Sequence, residues 1–503
     1  MKICLLLQRR FAFVGHNLAV LLKEKYGVKE FCGYVYWRPS YDFLQTQQDL
    51  HYSALLLDED IHANYKKEQI DMDYLRHLEQ ELCLPYLWDY IALDRVLMFS
   101  QLLREYPYNT PLYTYEEMLR IFQVKARAIL AFWEREKPDA LILPNVGGIG
   151  AMLLYQLAKK QGVKILHIMP SSMKDRFVVS ETYDSFSGTE EIFKKTFSSG
   201  ERTAYYQPAK KILQAFRAKP VAYNSDLTPE RQPVNRWRQL RFLHPKNFLR
   251  SLLWFGHLLR THFTSQERFD YSYIHPWHYL IDHLKRKARN LRGVSDLYDP
   301  FYASVPYAFF GLHYEPEVSL LLQAPFITDQ IYAVRQLARS LPVGYLLYVK
   351  DHPLMVPFRP RSYYQELKKI PNVRLLNPTL SSFDIIKHTR LVSTITGSII
   401  WEGLLLGKPA IAFGHQFYNA LSMVKYVREM ETLPYLVKEQ LENFSYNEEE
   451  LLHYLAAILA DSAVLRFFYL WEQETDEENK KAGLRPLAEL MAKKLGLAAK
   501  NPI

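Results

Sequence analysis

Cysteine is almost missing: the 503 residues hold three, Cys4, Cys32 and Cys83. Their spacing fits no zinc or redox-pair pattern. An odd, scattered set suits a reducing cytosol, so all three read as ordinary buried thiols. No run approaches the roughly 18 apolar residues that a spanning helix needs. The first apolar stretch, residues 2–7, turns polar at Gln8, Arg9 and Arg10, which is too short for a secretory leader and suits a first strand. No repeat of fixed period occurs, which sets solenoids and propellers aside. Metal-ligand clusters are lacking too. His275-Pro276-Trp277-His278 carries two histidines without a neighbouring Cys or carboxylate pair at ligand spacing. Asp71-Met72-Asp73 has an Asp-x-Asp metal-site spacing, but it opens a predicted helix, where Asp71 reads as an N-terminal cap. No metal site is expected.

What is present is the composition of a packed globular chain, 49% hydrophobic and 23% charged. The length suits two Rossmann-sized domains plus extra helices. Aromatics reach 14%, with 36 Tyr and 28 Phe. They suit surfaces that stack on sugars or lie against lipid headgroups, or equally an aromatic core. The net charge of +9 is concentrated, because residues 231–292 contain 13 Lys/Arg against 3 Asp/Glu. Such a patch points to phosphate-bearing substrates or an anionic membrane. Nucleic acid is not expected, since no groove-reading or base-stacking motif accompanies it.

The fold class expected is α/β, two Rossmann-like domains with a helical basic insertion and a helical C-terminal tail. Apolar runs at 2–7, 31–36, 140–143 and 163–169 alternate with helical stretches in an N-terminal α/β domain, residues 1–190. A helical region, 73–136, interrupts that rhythm. Gly147, Gly148 and Gly150 open a helix that Gly162 closes. Residues 191–300 read as a helical basic insertion or linker. Strand and helix alternation returns in a second α/β domain, 301–430, and residues 431–503 read as C-terminal helices.

The strongest constellation is Thr394-Ile395-Thr396-Gly397-Ser398, then Glu402-Gly403 and Gly407-Lys408-Pro409. A strand ending in small hydroxyl and glycine residues brings a helix start, with free backbone N–H groups, close to a phosphate. Ser398 is placed to cap that helix and touch the phosphate. Glu402, one turn on, is placed to accept from ribose hydroxyls or merely to support the first turn. A second element is a strand ending in Lys350-Asp351-His352-Pro353, which puts His352 at a carboxyl edge where ligands bind in open α/β sheets. Lys350 adds charge there or is simply solvated. A third is Gly311-Leu312-His313-Tyr314-Glu315-Pro316-Glu317, where His313, Glu315 and Glu317 contact donor sugar or base, or the two glutamates only balance a helix start. Asp175, beyond the strand at 163–169 with Ser171 and Ser172, is the candidate nucleophile or base. Its alternative reading is a loop ion pair with Arg176.

These residues, in the order His313, Glu315, Lys350-Asp351-His352-Pro353, Thr396-Gly397-Ser398, Glu402, Gly407-Lys408-Pro409 and Phe413-Gly414, resemble the capsule polysaccharide biosynthesis family of bacterial glycosyltransferases. The resemblance covers about a fifth of the chain. It implies a GT-B fold, a nucleotide-sugar donor held by the C-terminal domain, and a growing surface glycan, capsular or lipopolysaccharide, as acceptor. By the same resemblance His352 contacts the donor phosphate, and Thr396 and Ser398 form the hydroxyl pair there; the catalytic candidates are His352 and, from its strand-end position, Asp175. The branches that transfer Kdo from a CMP donor carry an acidic, Gly-containing motif followed by Arg-Ser. Lys174-Asp175-Arg176-Phe177 lacks both the glycine and the serine, leaving the donor open.

The function expected is therefore metal-independent glycosyl transfer without a resident cofactor, to a glycan or lipid-linked glycan. The alternatives are a sugar-nucleotide epimerase of the same fold and a non-catalytic subunit of glycan assembly. A cytoplasmic chain is expected, peripheral at the inner face of the cell membrane. In the basic insertion, residues 248–263 combine Leu249, Leu252, Leu253 and Trp254 with Arg250 and Arg260, which fits an interfacial helix on anionic lipid or one packed between domains.

Overall fold

The computed structural model describes residues 1–99, 111–223, 237–265 and 273–499. Parts of two expected segments, at 100–110 within the helical interruption and at 231–236 and 266–272 within the basic stretch, lie outside the described residues.

The N-terminal sheet contains β1 (Lys2–Leu7), β2 (Glu30–Val35), β3 (Tyr52–Leu57), β4 (Ala140–Leu143), β5 (Lys164–Pro170) and β6 (Arg176–Ser180). The C-terminal sheet contains β7 (Tyr307–Gly311), β8 (Leu346–Lys350), β9 (Val373–Leu376), β10 (Leu391–Thr394), β11 (Ala410–Ala412) and β12 (Val424–Tyr426). Both are doubly wound. The C-terminal order is β12-β11-β10-β7-β8-β9, all parallel, with its topological switch point between β7 and β10. The N-terminal order, β3-β2-β1-β4-β5-β6, switches between β1 and β4, turns antiparallel at β6, and is extended beyond β6 by one further strand from near the C-terminus. Continuous apolar strands such as Ala140–Leu143, buried at every position, need a helical layer on both faces. Separate apolar clusters cover the two faces of each sheet.

The chain crosses from the first domain to the second after β6 and returns near Asp461. There β13 (Ser462–Val464) pairs antiparallel with β6, and the helix Glu477–Lys494 packs against the helix Phe11–Tyr26. Residues 462–494 thus complete the N-terminal domain, where a helical tail was expected. The two crossings meet. Thr189 Oγ1 donates to Asp461 Oδ2 at 3.1 Å, and Lys494 Nζ lies 2.8 Å from Asp461 Oδ1.

Smaller expectations divide. Asp71 does cap its helix, accepting from the Tyr74 N–H at 2.9 Å. Cys83 is not buried. It is exposed with φ 54°, at the end of the helix Met72–Glu81, while Cys4 and Cys32 lie side by side in the core. The helices Ser187–Ser199 and Tyr206–Ala218 pack on the helix Glu448–Ala460, and Arg217 Nε donates to Leu405 O at 3.0 Å. That part of the insertion is ordinary interior scaffolding.

Candidate functional site

The carboxyl ends of β7, β8 and β10 converge at the C-terminal switch point, because parallel strands release their loops on one edge. His313, just beyond β7, is 6% exposed and ties two loops together. Its Nε2 accepts from the Thr396 backbone N–H at 3.0 Å and lies 3.1 Å from Thr394 Oγ1. Since Nε2 accepts, the neutral ring carries its proton on Nδ1, which faces Glu317 Oε2 at 3.5 Å. His313 therefore fixes the Thr394–Thr396 turn from behind.

Glu315 is fully buried, where a binding role would need an open carboxylate. It pairs with Arg359, whose guanidinium also meets Asp351 at 3.1 Å and the His313 carbonyl at 2.6 Å. Tyr364 donates to Asp351 Oδ2 at 2.6 Å. Two carboxylates share one guanidinium here, and burial pushes the Glu315 carboxyl up to about 7 against the pull of Arg359. This network holds the loops after β7 and β8 in register. Arg359 and Tyr364 were not legible in the sequence, since their partners lie 8 to 46 positions away.

His352, just beyond β8, is partly exposed. Its Nδ1 accepts from the Leu354 N–H at 3.2 Å, which leaves Nε2 as the protonated nitrogen, and its ring meets Tyr314 edge-on at 5.9 Å. Burial lowers its pKa although Asp351 opposes the shift, so the ring is neutral at neutral pH with one N–H free to donate. Lys350 is not a solvated strand end. It is 8% exposed, donates to Ser382 Oγ at 2.7 Å, and burial lowers it to about 8. Glu402 lies within reach of that charge. Its side chain keeps some open surface, but the carboxyl sits among protein atoms that push it up to about 7.

The helix after β10 runs Ile399–Leu405, and Ser398 at its start makes no side-chain cap, its hydroxyl turning to Glu402 instead. Thr396 Oγ1 is buried with no hydrogen-bond partner among the described residues. Gly397 and Gly414 pack tightly around this turn. A Cβ on Gly414 would meet Thr396 Cγ2 at 2.4 Å, and one on Gly397 would meet Thr394 Oγ1 at 3.1 Å.

Across the cleft, Asp175 sits in the β5–β6 turn with φ 53°, as does Ser172 with φ 56°, a left-handed pair that costs free energy in non-glycine residues. Arg176 Nη1 donates to Ser462 Oγ at 3.1 Å, tying this turn to β13. Asp175 lines a surface pocket with Met173, Arg176, Phe177, Tyr223 and Arg466. Tyr223 is the residue that sequence reasoning overlooked. Burial pushes its phenol up to about 12, and the charges of Glu317 and Glu402 add to that shift, so one side chain borders both the Asp175 pocket and the C-terminal cluster. The structure thus brings together Lys350, His352, Thr396, Gly397, Ser398 and Glu402. His313 and Glu315 stand behind them, and Asp175 faces them from the other domain.

Two doubly wound domains with a polar cluster at the switch point of the second define the GT-B class of architecture. No family model matches the chain, and no curated protein matches it. Among solved structures it is similar to a Thermosulfurimonas dismutans KpsC beta Kdo 2,7 transferase, at 11% identity over 72% of this chain and 89% of that one, TM-score 0.36. It is also similar to a UDP-GlcNAc 2-epimerase from Neisseria meningitidis, at 11% identity over 92% and 98%, TM-score 0.28. A glycosyltransferase from Rickettsia africae matches at 10% identity over 100% and 99%, TM-score 0.28.

Proposed function

We propose that this chain is a glycosyltransferase that moves a sugar from a nucleotide-sugar donor, held by the C-terminal domain, to a growing bacterial surface glycan entering along the N-terminal domain. The observation that carries this reading is the partly exposed His352, its proton fixed on Nε2, beside the buried Lys350 and the half-buried Glu402. A departing nucleotide phosphate gathers negative charge. The His352 N–H, the Lys350 ammonium and the turn at Thr396–Ser398 offer donors and positive charge for it, a metal-independent arrangement. The unpartnered Thr396 hydroxyl supports a ligand at that turn.

In this reading the acceptor hydroxyl oxygen attacks the anomeric carbon. The bond from that carbon to the phosphate oxygen breaks, the nucleotide leaves with the electron pair, and the hydroxyl proton passes to the Asp175 carboxylate. Glu402 holds the ribose. The strained turn that presents Asp175 fits a residue selected for position over stability.

The test is turnover of CMP-, UDP-, GDP- and dTDP-sugars with and without glycan acceptors. We expect acceptor-dependent release of one nucleotide, cut by about 100-fold or more in His352→Ala and in Asp175→Asn while the melting temperature holds. Conversion of a donor sugar with no acceptor present would make the protein an epimerase. Tight nucleotide binding with no turnover would make it a binding subunit.

A further inference from the structure

The helix Pro245–Thr264 has no buried residue along its whole length. One side packs on the helix Pro276–Arg292, with Trp254 against His283 at 5.2 Å and Phe255 against Trp277 at 5.2 Å. The helical repeat places Phe248, Leu249, Leu252, Leu253 and Phe263 together on the opposite side, and all are exposed, Leu253 by 64% and Phe263 by 71%. Lys246 and Arg250 follow one edge of that stripe, and Arg260 lies between Leu253 and Phe263 around the helix, all exposed. The partner helix adds Trp277, Ile281 and Leu284, exposed at four- and three-residue steps, with Lys285 next to them. An apolar face of this extent is not left open to water without a partner, and a basic border selects an anionic one.

The pair is held firmly on its inner side. Arg289 Nη1 donates to Phe358 O at 2.7 Å and Arg286 stacks over the Phe358 ring at 5.3 Å, in the loop that follows His352. At the other end, Tyr279 lies within electrostatic reach of Arg9, just past β1 in the N-terminal domain. The helix Pro276–Arg292 therefore touches the loop after β8 of one domain and lies within reach of the turn after β1 of the other.

We infer that these two helices form a docking plate for an anionic lipid bilayer, with the outer helix lying in the headgroup layer and the cleft held at the membrane surface. Apolar side chains enter the acyl boundary, while Lys246, Arg250 and Arg260 meet lipid phosphates. Delivery of a lipid-linked acceptor into the cleft rests on the glycosyltransferase reading; the docking itself does not.

Vesicle flotation tests it with the full chain. The protein is expected to float with phosphatidylglycerol-containing vesicles, far less with phosphatidylcholine alone, and less as salt is raised. Leu252→Asp/Phe263→Asp and Arg250→Glu/Arg260→Glu are each expected to weaken binding roughly tenfold or more. These positions are exposed, so the melting temperature and nucleotide binding should stay unchanged, which separates lost docking from lost folding or a failed donor site. Wild-type protein that stays out of the anionic vesicle fraction, or variants that float as it does, would overturn the inference. So would a dimer seen by light scattering that Leu252→Asp/Phe263→Asp dissolves in the absence of flotation, because the face would then belong to a second copy.

Discussion

His352 keeps one ring nitrogen tied to its own loop and leaves the other free to donate, and the two groups beside it titrate close to neutrality. Glu402 is raised to about 7 and Lys350 lowered to about 8, each by burial. A phosphate brought there meets the most positive field when Glu402 is neutral and Lys350 is protonated. Nucleotide affinity is therefore expected to be highest below about pH 7 and to fall roughly tenfold as the pH rises past about 8. Calorimetric titrations at about pH 6 and pH 9 measure this, and a flat profile would remove the phosphate from these two side chains. Strand-end chemistry was legible in the sequence, because parallel strands must release Lys350, His352 and Thr396 on one edge. The state of each group was not. Whether a lysine is solvated or buried, or a glutamate open or paired, depends on what other segments bring, as Ser382 does for Lys350 and Arg359 for Glu315.

At the scale of elements, the loops around the site stand on one buried guanidinium. Removing a single partner from a buried pair leaves an uncompensated charge. Arg359→Met strands Asp351 and Glu315 without their cation and is expected to cost about 3–5 kcal/mol, read as a lower urea midpoint by circular dichroism. A midpoint within error of wild type would show that the two carboxyls protonate at little cost. Burial raises Glu315 to about 7 against the pull of Arg359, so the folded state favours this carboxyl with its proton on. The stability it gains by being raised is complete below its unfolded value near 4.5 and is lost as the pH climbs through about 7. Element boundaries were readable where a central strand is buried on both faces: 2–7 and 140–143 match residue for residue. The short strands Arg176–Ser180, Val424–Tyr426 and Ser462–Val464 were missed, and so was Tyr52–Leu57 at the far edge of its sheet. In β13 and β6 the reason is visible, since Ser462 pairs with Val178 and no local pattern of three residues announces so distant a partner.

For the whole molecule, the return of the chain makes the N-terminal domain dependent on residues from both ends. A chain ending at residue 460 loses β13 and the helix Glu477–Lys494, uncovering the β6 edge and the apolar face of the helix Phe11–Tyr26. Such a truncation is expected to be insoluble or to lose the cooperative melting of wild type, as checked by gel filtration and differential scanning calorimetry. A soluble, monomeric product that melts like the full chain would show that the returning segment only decorates the domain.

The meeting of the two crossings at Thr189 and Asp461 has a mechanical consequence. Connections set far apart would act as two pins and confine the domains to swinging about the line between them. Connections that touch act as a single pivot, so the domains can twist as well as close, and the contacts around that pivot must choose the direction. Phe186, stacked on Phe417 at 4.4 Å, and the Gln323 amide donating to Tyr183 O at 3.0 Å are such contacts, and they lie on the loop that leads into the pivot. Any movement of Asp175 relative to His352 is therefore steered by a few side chains beside the joint, and the peptide links themselves leave it free.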